Sequence, residues 1–302
     1  MPFDGMPPSG YPITWGTKPR KWAWRRDRLH PQALGLLRGC AFLLPLWEGA
    51  GGSTFDLIHG DKFDTFKGTG TEFQEWKGHR RGLMSHAAPV ASYRNHFTRT
   101  GADRFNTSNG AGTGDFTLLG LAAPRAQASF RVIIGLTGGG GGTQCYLMPN
   151  GDNTSGVFRL WTYDGTLTTL DTTSTGGLIN GNPHCWIGTR AGPLHTIYGD
   201  GQVLAGPSSL TARDVITGDG TDVMRVGGRH GEQLDAAFED PIFMVAGWNR
   251  ALTDAEARFL SRYPYALILP RPRYELVVDA AAAAPPAGGV LKTSLMLTGM
   301  GF

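Results

Sequence analysis

Cleavage of a glycosidic bond by side chains alone needs two carboxyl groups facing one sugar. On a β-strand that requires acidic residues two apart, because successive side chains point to opposite faces. The 302-residue chain has no Glu-x-Asp-x-Glu run or near variant. Glu72 and Glu75, in TEFQEWKG, come closest but fall three apart, and Glu239 and Asp240 are adjacent, so each pair splits across a strand. No Gly-x-Ser-x-Gly elbow is present, which leaves a Ser-His-Asp triad assembled from distant positions as the open alternative. His59, His79, His86, His96, His184, His195 and His230 show no metal-ligand spacing, and there is no twelve-residue calcium loop. Cys40, Cys145 and Cys185 form no Cys-x-x-Cys pair. They read as three small buried residues, with one disulfide plus a free thiol as the alternative. Gly138 to Gly142 is followed by Gln144-Cys145-Tyr146-Leu147, which reads as a strand and lacks the lysine and helix of a phosphate cradle. Trp161, Tyr163 and Trp186 have the side chains to stack on a sugar and equally to fill a core. The chemistry of the sequence therefore predicts no catalytic residue, no cofactor and a chain that is not an enzyme.

The elements that must position such residues are short strands. Val157 to Tyr163 alternates well, Asp164-Gly165 supplies a hairpin turn, and Leu167 to Leu170 returns. Ser129 to Leu136, His184 to Thr189, His195 to Tyr198, Asp222 to Val226 and Phe238 to Trp248 are further strand candidates, and Asp200-Gly201 turns into Gln202-Val203-Leu204. Glycine, at 45 residues, is about twice its usual share. Short strands separated by tight turns predict an antiparallel β-sandwich or barrel. One short helix should follow Trp248. Thr253 can cap it with Glu256 three residues on, Ala257, Phe259, Leu260 and Tyr263 form its apolar face, and Pro264 stops it.

Two segments flank this body. The first 30 residues hold Lys18, Arg20, Lys21, Arg25, Arg26 and Arg28 against Asp4 and Asp27, while the whole chain carries a net charge of only +3. That balance argues against nucleic acid as the main partner. Residues 1–37 read as a basic arm. It is either a solvated tail or a segment that orders on a partner, with Trp22 and Trp24 as anchors and Lys18, Arg20, Lys21, Arg25 and Arg26 as ligands for carboxylates or backbone. At the other end, residues 274–302 combine an Ala/Pro/Gly linker with an apolar tail, LKTSLMLTGMGF. The tail is either loose or adds as a strand to a neighbouring subunit through Leu295, Leu297 and Phe302. The start has no basic region leading into an apolar one, and the longest apolar run, Cys40 to Trp47, is far too short to span a bilayer. A soluble protein without a membrane partner is expected.

Two stretches carry a family resemblance. HPQALGLLRGCAFLLPLWEGAGGSTFDL, His30 to Leu57, resembles the opening of laminin G-like, concanavalin A-like jelly-roll domains of tailed-phage and prophage virion proteins. In it a His-Pro-x-x-x-Gly-Leu start leads into an apolar strand, a polar turn at Glu48, Gly49 and Gly51, and a short strand at Asp56-Leu57. Arg104-Phe105 and Phe116-Thr117-Leu118 resemble the next family strands. Phe243 to Leu260, with its Asn-Arg-Ala-Leu-Thr-Asp-Ala-Glu run, resembles the last strand and its helix, and Tyr263 to Pro270 the exit. Arg262-Tyr263 stands where the family often has Asn-Pro, and the basic arm has no counterpart there. The resemblance covers about residues 30–273, so the domain is placed at 38–273. It implies an all-β, antiparallel concanavalin A-like sandwich with one short C-terminal helix and extended arms. It also implies calcium at the sandwich rim, for which Asp164 and Asp200, in their Asp-Gly turns, are the candidates beside plain turn chemistry.

The expectation is then a virion protein, made in a bacterial cytoplasm, that decorates a capsid or tail through its two arms, joins other virion proteins and forms a homo-oligomer. The alternative is a carbohydrate-binding adhesin or receptor-binding module that recognises a host surface glycan. A glycan hydrolase with a divergent site is the third reading.

Overall fold

The computed structural model describes residues 31–46, 53–66, 77–79, 82–84, 96–100, 105, 114–125, 132–137, 144–149, 158–163, 167–172, 177–210, 223–227, 238 and 240–268. A short helix α1 (Pro31–Leu36) leads into sixteen strands among these residues: β1 (Cys40–Leu44), β2 (Ser53–Phe55), β3 (Lys62–Phe66), β4 (Lys77–His79), β5 (Gly82–Met84), β6 (His96–Thr100), β7 (Phe116–Ala122), β8 (Ile134–Thr137), β9 (Gln144–Pro149), β10 (Phe158–Tyr163), β11 (Leu167–Asp171), β12 (His184–Ala191), β13 (Leu194–Gly199), β14 (Gln202–Ser209), β15 (Val223–Val226) and β16 (Pro241–Trp248). Helix α2 (Asp254–Arg262) and a 3-10 turn (Pro264–Leu267) close the described chain. No helix among the described residues is long and apolar enough to cross a membrane.

The strands form two antiparallel sheets. The first runs β14-β13-β12-β7-β16-β5-β4, with β1 also paired to β16, and the second runs β11-β10-β9-β8-β15-β6-β3-β2. The all-β antiparallel sandwich expected from the sequence is the observed fold. Between the sheets lies a core that includes Phe42, Phe63, Phe105, Phe116, Leu136, Leu147, Leu160, Trp186, Met224 and Val245. Phe105, assigned to a strand by resemblance, sits instead at a bend and sends its ring into this core against Phe42 and Phe116.

Strand β7 is buried at every position, as is β1. Apolar side chains on both faces are what a strand needs when its sheet is covered on both sides, and they explain why FTLLGLA and CAFLL do not alternate. The outer cover of the first sheet is helical. Leu119, Leu121, Ile187, Met244 and Trp248 point away from the inner core and meet Leu36, Leu37, Leu252, Ala257, Leu260 and Leu267. Residues 31–37, read from sequence as part of the arm, thus supply α1 and two buried leucines to the body. Trp248 Nε1 donates to the Leu36 carbonyl at 2.7 Å, which satisfies the one polar atom that this large ring buries.

Helix α2 begins as its sequence predicts. The Thr253 side chain accepts from the Glu256 N–H at 3.3 Å, and the Glu256 carboxylate accepts from the Thr253 N–H at 2.9 Å. Arg250 clamps the same carboxylate with two bonds of 2.7 and 2.9 Å while donating to the Arg38 carbonyl at 2.8 Å. Burial pulls the Glu256 pKa upward, but the Arg250 and Thr253 hydrogen bonds and the guanidinium charge outweigh it and hold it below the usual value. The Asp200-Gly201 hairpin has φ of 47° and 86°, left-handed at both positions, as a two-residue hairpin turn of this type requires.

Candidate functional site

The second sheet has a different outer side. Gly135, on β8, faces outward: a Cβ there would collide with the Tyr146 ring and crowd Val132. Glycine therefore lets the ring of Tyr146, from β9, lie across β8. Tyr146, Met148 and Val132 form a small buried apolar cluster on this side, separate from the inner core. Register places Arg225 of β15 directly opposite Gly135. The Arg225 guanidinium reaches the Thr137 Oγ1 at 3.4 Å, and the same hydroxyl lies 3.5 Å from the Tyr146 hydroxyl. Two strands beyond β8, Arg159 of β10 holds Asp171 of β11 through bonds of 2.6 and 2.7 Å. Asp171 is exposed and Arg225 half-buried, so this polar row reaches solvent at both ends.

Arg225 is the outlier of the row. Its Nε is buried and has no hydrogen-bond partner. Among the described residues no carboxylate pairs with it. Burial lowers its pKa from the ordinary value, with the nearby Tyr146 acting in the other direction, yet a guanidinium remains charged in any protein setting. The other well-buried arginine of this side, Arg159, is fully engaged by Asp171. Chemically, Arg225 is a half-buried cation beside two buried hydroxyls, with one of its nitrogens, Nε, lacking an acceptor.

The residues singled out from the sequence are placed differently. Trp186, a candidate for sugar stacking, is fully buried in the inner core with His184 edge-on at 5.8 Å, and that corrects its assignment: strand alternation turns it inward. Trp161 and Tyr163 lie on β10, level in register with Tyr146 and Gln144. Asp200, a calcium candidate, spends both carboxylate oxygens inside the fold. Oδ1 accepts from the Cys185 N–H at 3.0 Å and Oδ2 faces His184 Nδ1 at 2.6 Å. It ties the hairpin to the start of β12 rather than presenting ligands to a cation, which corrects that candidacy. The second nitrogen of His184 faces the Asn180 Oδ1 at 3.1 Å, so both ring nitrogens have partners within the fold. Asp164 lies outside the described residues, as do Glu72, Glu75 and Glu239, the arm residues Lys18, Arg20, Lys21, Trp22, Trp24, Arg25 and Arg26, and the tail residues Leu295, Leu297 and Phe302. Asp240 is buried and accepts from the Arg125 N–H at 2.8 Å, a structural role. The three cysteines are buried thiols with no disulfide among them, and burial pushes the Cys145 thiol up to about 12, far from a reactive thiolate.

The structure also gathers Asp56, His59 and Asp61, whose ligand-type atoms lie within 4.8 Å of one another. Their Asp-x-x-His-x-Asp spacing in a turn is the signal that a search for helical or zinc-type spacing passes over. The Asp56 carboxylate, however, already accepts the N–H groups of Leu43 at 2.6 Å, Ile58 at 3.1 Å and His59 at 2.7 Å. Its work is to pin the turn after β2 to β1. Arg225, Thr137 and Tyr146 were likewise missed. The signal for Arg225 was a lone charge between the apolar residues Val223, Met224 and Val226.

Among solved structures, the fold is similar to a mutant of Trypanosoma rangeli sialidase displaying trans-sialidase activity, with a TM-score of 0.50 and 16% identity over 76% of this chain and 34% of that one. It is similar also to Trypanosoma rangeli sialidase in complex with 2,3-difluorosialic acid, a covalent intermediate, with a TM-score of 0.51 and 16% identity over 75% and 33%. The Ruminococcus gnavus IT-sialidase CBM40 bound to alpha2,3 sialyllactose aligns at a TM-score of 0.39 and 15% identity over 49% of this chain and 83% of that one, too slight a likeness to bear on fold or function. The chain spans about a third of the length of the Trypanosoma sialidases it matches. At this identity the likeness establishes the β-sandwich fold. No family model matches the chain, and neither does any curated protein. The comparison corrects the expectation of a chain that is not an enzyme: the sandwich is shared with sialidases, one of them seen as a covalent intermediate, so a missing Glu-x-Asp-x-Glu run gives no ground for excluding catalysis.

Proposed function

We propose that the chain is a glycan-binding β-sandwich protein of a tailed-phage virion, joined to the particle by its terminal segments and presenting the outer side of its second sheet to host-surface sugar. The observation that carries the glycan reading is the polar row on that side, buried at Thr137, Tyr146 and Arg159 but exposed at Asp171 and half-buried at Arg225, whose Nε has no hydrogen-bond partner. Sandwich lectins and modules commonly take a saccharide with a few fixed polar groups beside apolar surface, and this row combines both. The fold shared with sialidases, one of them seen with 2,3-difluorosialic acid, supports a sugar as the ligand. The virion reading rests on the resemblance of His30 to Leu57 and Phe243 to Leu260 to phage jelly-roll domains, and on the basic and apolar ends of the chain. Attachment would run through the basic arm and the apolar tail to other virion proteins or to further copies of this chain.

The test is a glycan array probed with the full chain, paired with incorporation of a variant lacking residues 1–29 into particles. Reproducible sugar binding and loss of the truncated protein from particles are expected. An array without binding removes the glycan reading, and unimpaired incorporation of the truncation removes the arm. A second reading, hydrolysis of the bound glycan, is favoured by the sialidase fold. Free sugar released from 3′-sialyllactose by the full chain would establish it, and an unchanged substrate after prolonged incubation would discard sialidase activity.

A further inference from the structure

Resting on the reading of the apolar tail as an attachment segment, we infer that residues 291–302 of a second copy add as a strand to the outer edge of β11. A sheet edge presents unpaired N–H and C=O groups, and folds protect such edges by shortness, charge, proline or cover. Among the described residues, three of the four sheet ends are protected in these ways. β2 and β4 are three residues each, and β4 carries Lys77. β14 is longer, but Gly206 at φ 83° and Pro207 interrupt it, and its register against β13 shifts along the way. The side branch β1 is covered by the turn after β2, where the Leu43 N–H donates to Asp56 and the Leu43 carbonyl accepts from Leu57. β11 has none of these devices. It runs in unbroken register with β10 from Leu167 to Asp171 and contains no proline, glycine or lysine. Its one charge, Asp171, is held by Arg159 of β10 rather than turned against an incoming strand.

The same side of the sandwich leaves apolar surface half covered. An inner row of Ile134, Leu147, Leu160 and Leu170 crosses β8, β9, β10 and β11 in direct register and stops at the open edge. β11 lies across from β13 and β14. There Leu178 and Leu204, both half-buried, meet over Gly199, where a Cβ would collide with them. A strand added to β11 with leucines facing inward would continue the row, cover those side chains and satisfy the open backbone groups. The tail has that pattern. Thr293-Ser294-Leu295-Met296-Leu297-Thr298 spans the length of β11 without glycine or proline, and strand alternation puts Leu295 and Leu297 on one face. An apolar segment of this kind needs cover. Ile268, the last described residue, packs in the helical cover of the first sheet, whereas β11 is the edge of the second. Pro270, Pro272, Pro285 and Pro286 lie between Ile268 and the tail and favour extended chain, which carries the tail away from its own body and toward a neighbour.

The experiment compares the full chain with the full-length variant Leu295→Asp/Leu297→Asp by analytical ultracentrifugation and backbone hydrogen exchange. The full chain should self-associate as its concentration rises, and exchange at residues 167–171 should slow by at least about tenfold over the same range. The variant should stay monomeric, with fast exchange at 167–171 at every concentration. Thr169→Lys, which puts a charge on the open edge, should weaken association by at least about tenfold, with an unchanged melting temperature showing that the sandwich is intact. Association that survives the double substitution would overturn both the inference and the attachment role of the tail. Association lost in the double variant without any change in exchange at 167–171 would overturn β11 as the acceptor and leave the tail as an attachment segment. Slow exchange at 167–171 at every concentration, or a full chain that stays monomeric, would overturn the second copy as the occupant. No glycan takes part, so an array without binding leaves this assembly standing.

Discussion

The two sheets turn opposite kinds of surface outward. The first presents Leu119, Leu121, Ile187, Met244 and Trp248 and covers them with α1, α2 and the 3-10 turn. The second carries Thr137, Tyr146, Arg159, Asp171 and Arg225 around a small buried apolar cluster, with only Asp171 exposed and Arg225 half-buried, and no helix over it among the described residues. On the first side, among the described residues, buried polar groups find partners: Trp248 Nε1 with Leu36, Thr117 Oγ1 with both the Arg250 carbonyl and the Leu252 N–H, and the Gly201 N–H with the Ser261 hydroxyl. On the second side the matching stops at Arg225. A surface whose residues are mutually satisfied serves folding, whereas one that retains an unsatisfied charge loses stability there, a pattern expected where a ligand completes the set.

That contrast can be broken by substitution, because the first side should answer in stability and the second in binding. Trp248→Ala removes the largest side chain under the helical cover together with its bond to Leu36, and should cost about 3–5 kcal/mol in chemical unfolding. A loss under about 1 kcal/mol would mean that the cover is not what holds the first sheet.

The layer between the two sides should respond to acid. His195 is buried, donates from Nδ1 to the Pro193 carbonyl at 3.1 Å and has a buried Nε2 with no partner. Its pKa falls from 6.5 to about 4, chiefly through burial, against the Pro193 hydrogen bond and with the Arg190 charge adding to the decrease. Above pH 6.5 neither folded nor unfolded chain protonates it. Between about pH 6.5 and pH 4 the unfolded chain takes up the proton and the folded one resists, so stability falls with pH, by at most about 3 kcal/mol. Unfolding of His195→Gln, followed over the same range, should lack that part of the slope.

Gly135→Ala would place a methyl group in the Tyr146 ring and should cost about 1–3 kcal/mol as overpacking, with weaker glycan binding as the ring moves. Equal stability with unchanged binding would show that the ring position is irrelevant to the ligand. Thr253→Ala, in the capping box of α2, should cost about 1 kcal/mol and leave glycan binding as it was. Arg225→Met should have the smallest effect on stability of the series, within about 0.5 kcal/mol or favourable, together with the largest effect on binding. A large destabilisation would place Arg225 with the residues of the first side and erase the contrast.

Much of this architecture is legible in local patterns. The hairpin β10–β11 follows from alternation, and the Asp200-Gly201 turn from the two residue types that tolerate positive φ. α2 follows from Thr253, Glu256 and Pro264. Each is decided by neighbours a few positions away. The site was legible only in part. Trp186 and Trp161 look alike as aromatic residues in alternating strands, but which side of a strand meets the partner sheet depends on pairings such as Trp186 with Gly120 across β12 and β7. Asp200 was visible as a turn residue, while its bonds to Cys185 and His184 join positions 15 and 16 residues away.

The sequence by itself determined the class of fold, the short strands, their tight turns and the capped helix, because propensity, alternation and capping act over a handful of residues. Tertiary structure alone decided that Arg225 would stand opposite Gly135, reach Thr137 88 residues away and find no carboxylate among the described residues. Charge compensation depends on what lies across the sheet rather than along the chain, and that geometry exists only once β15 has paired between β6 and β8.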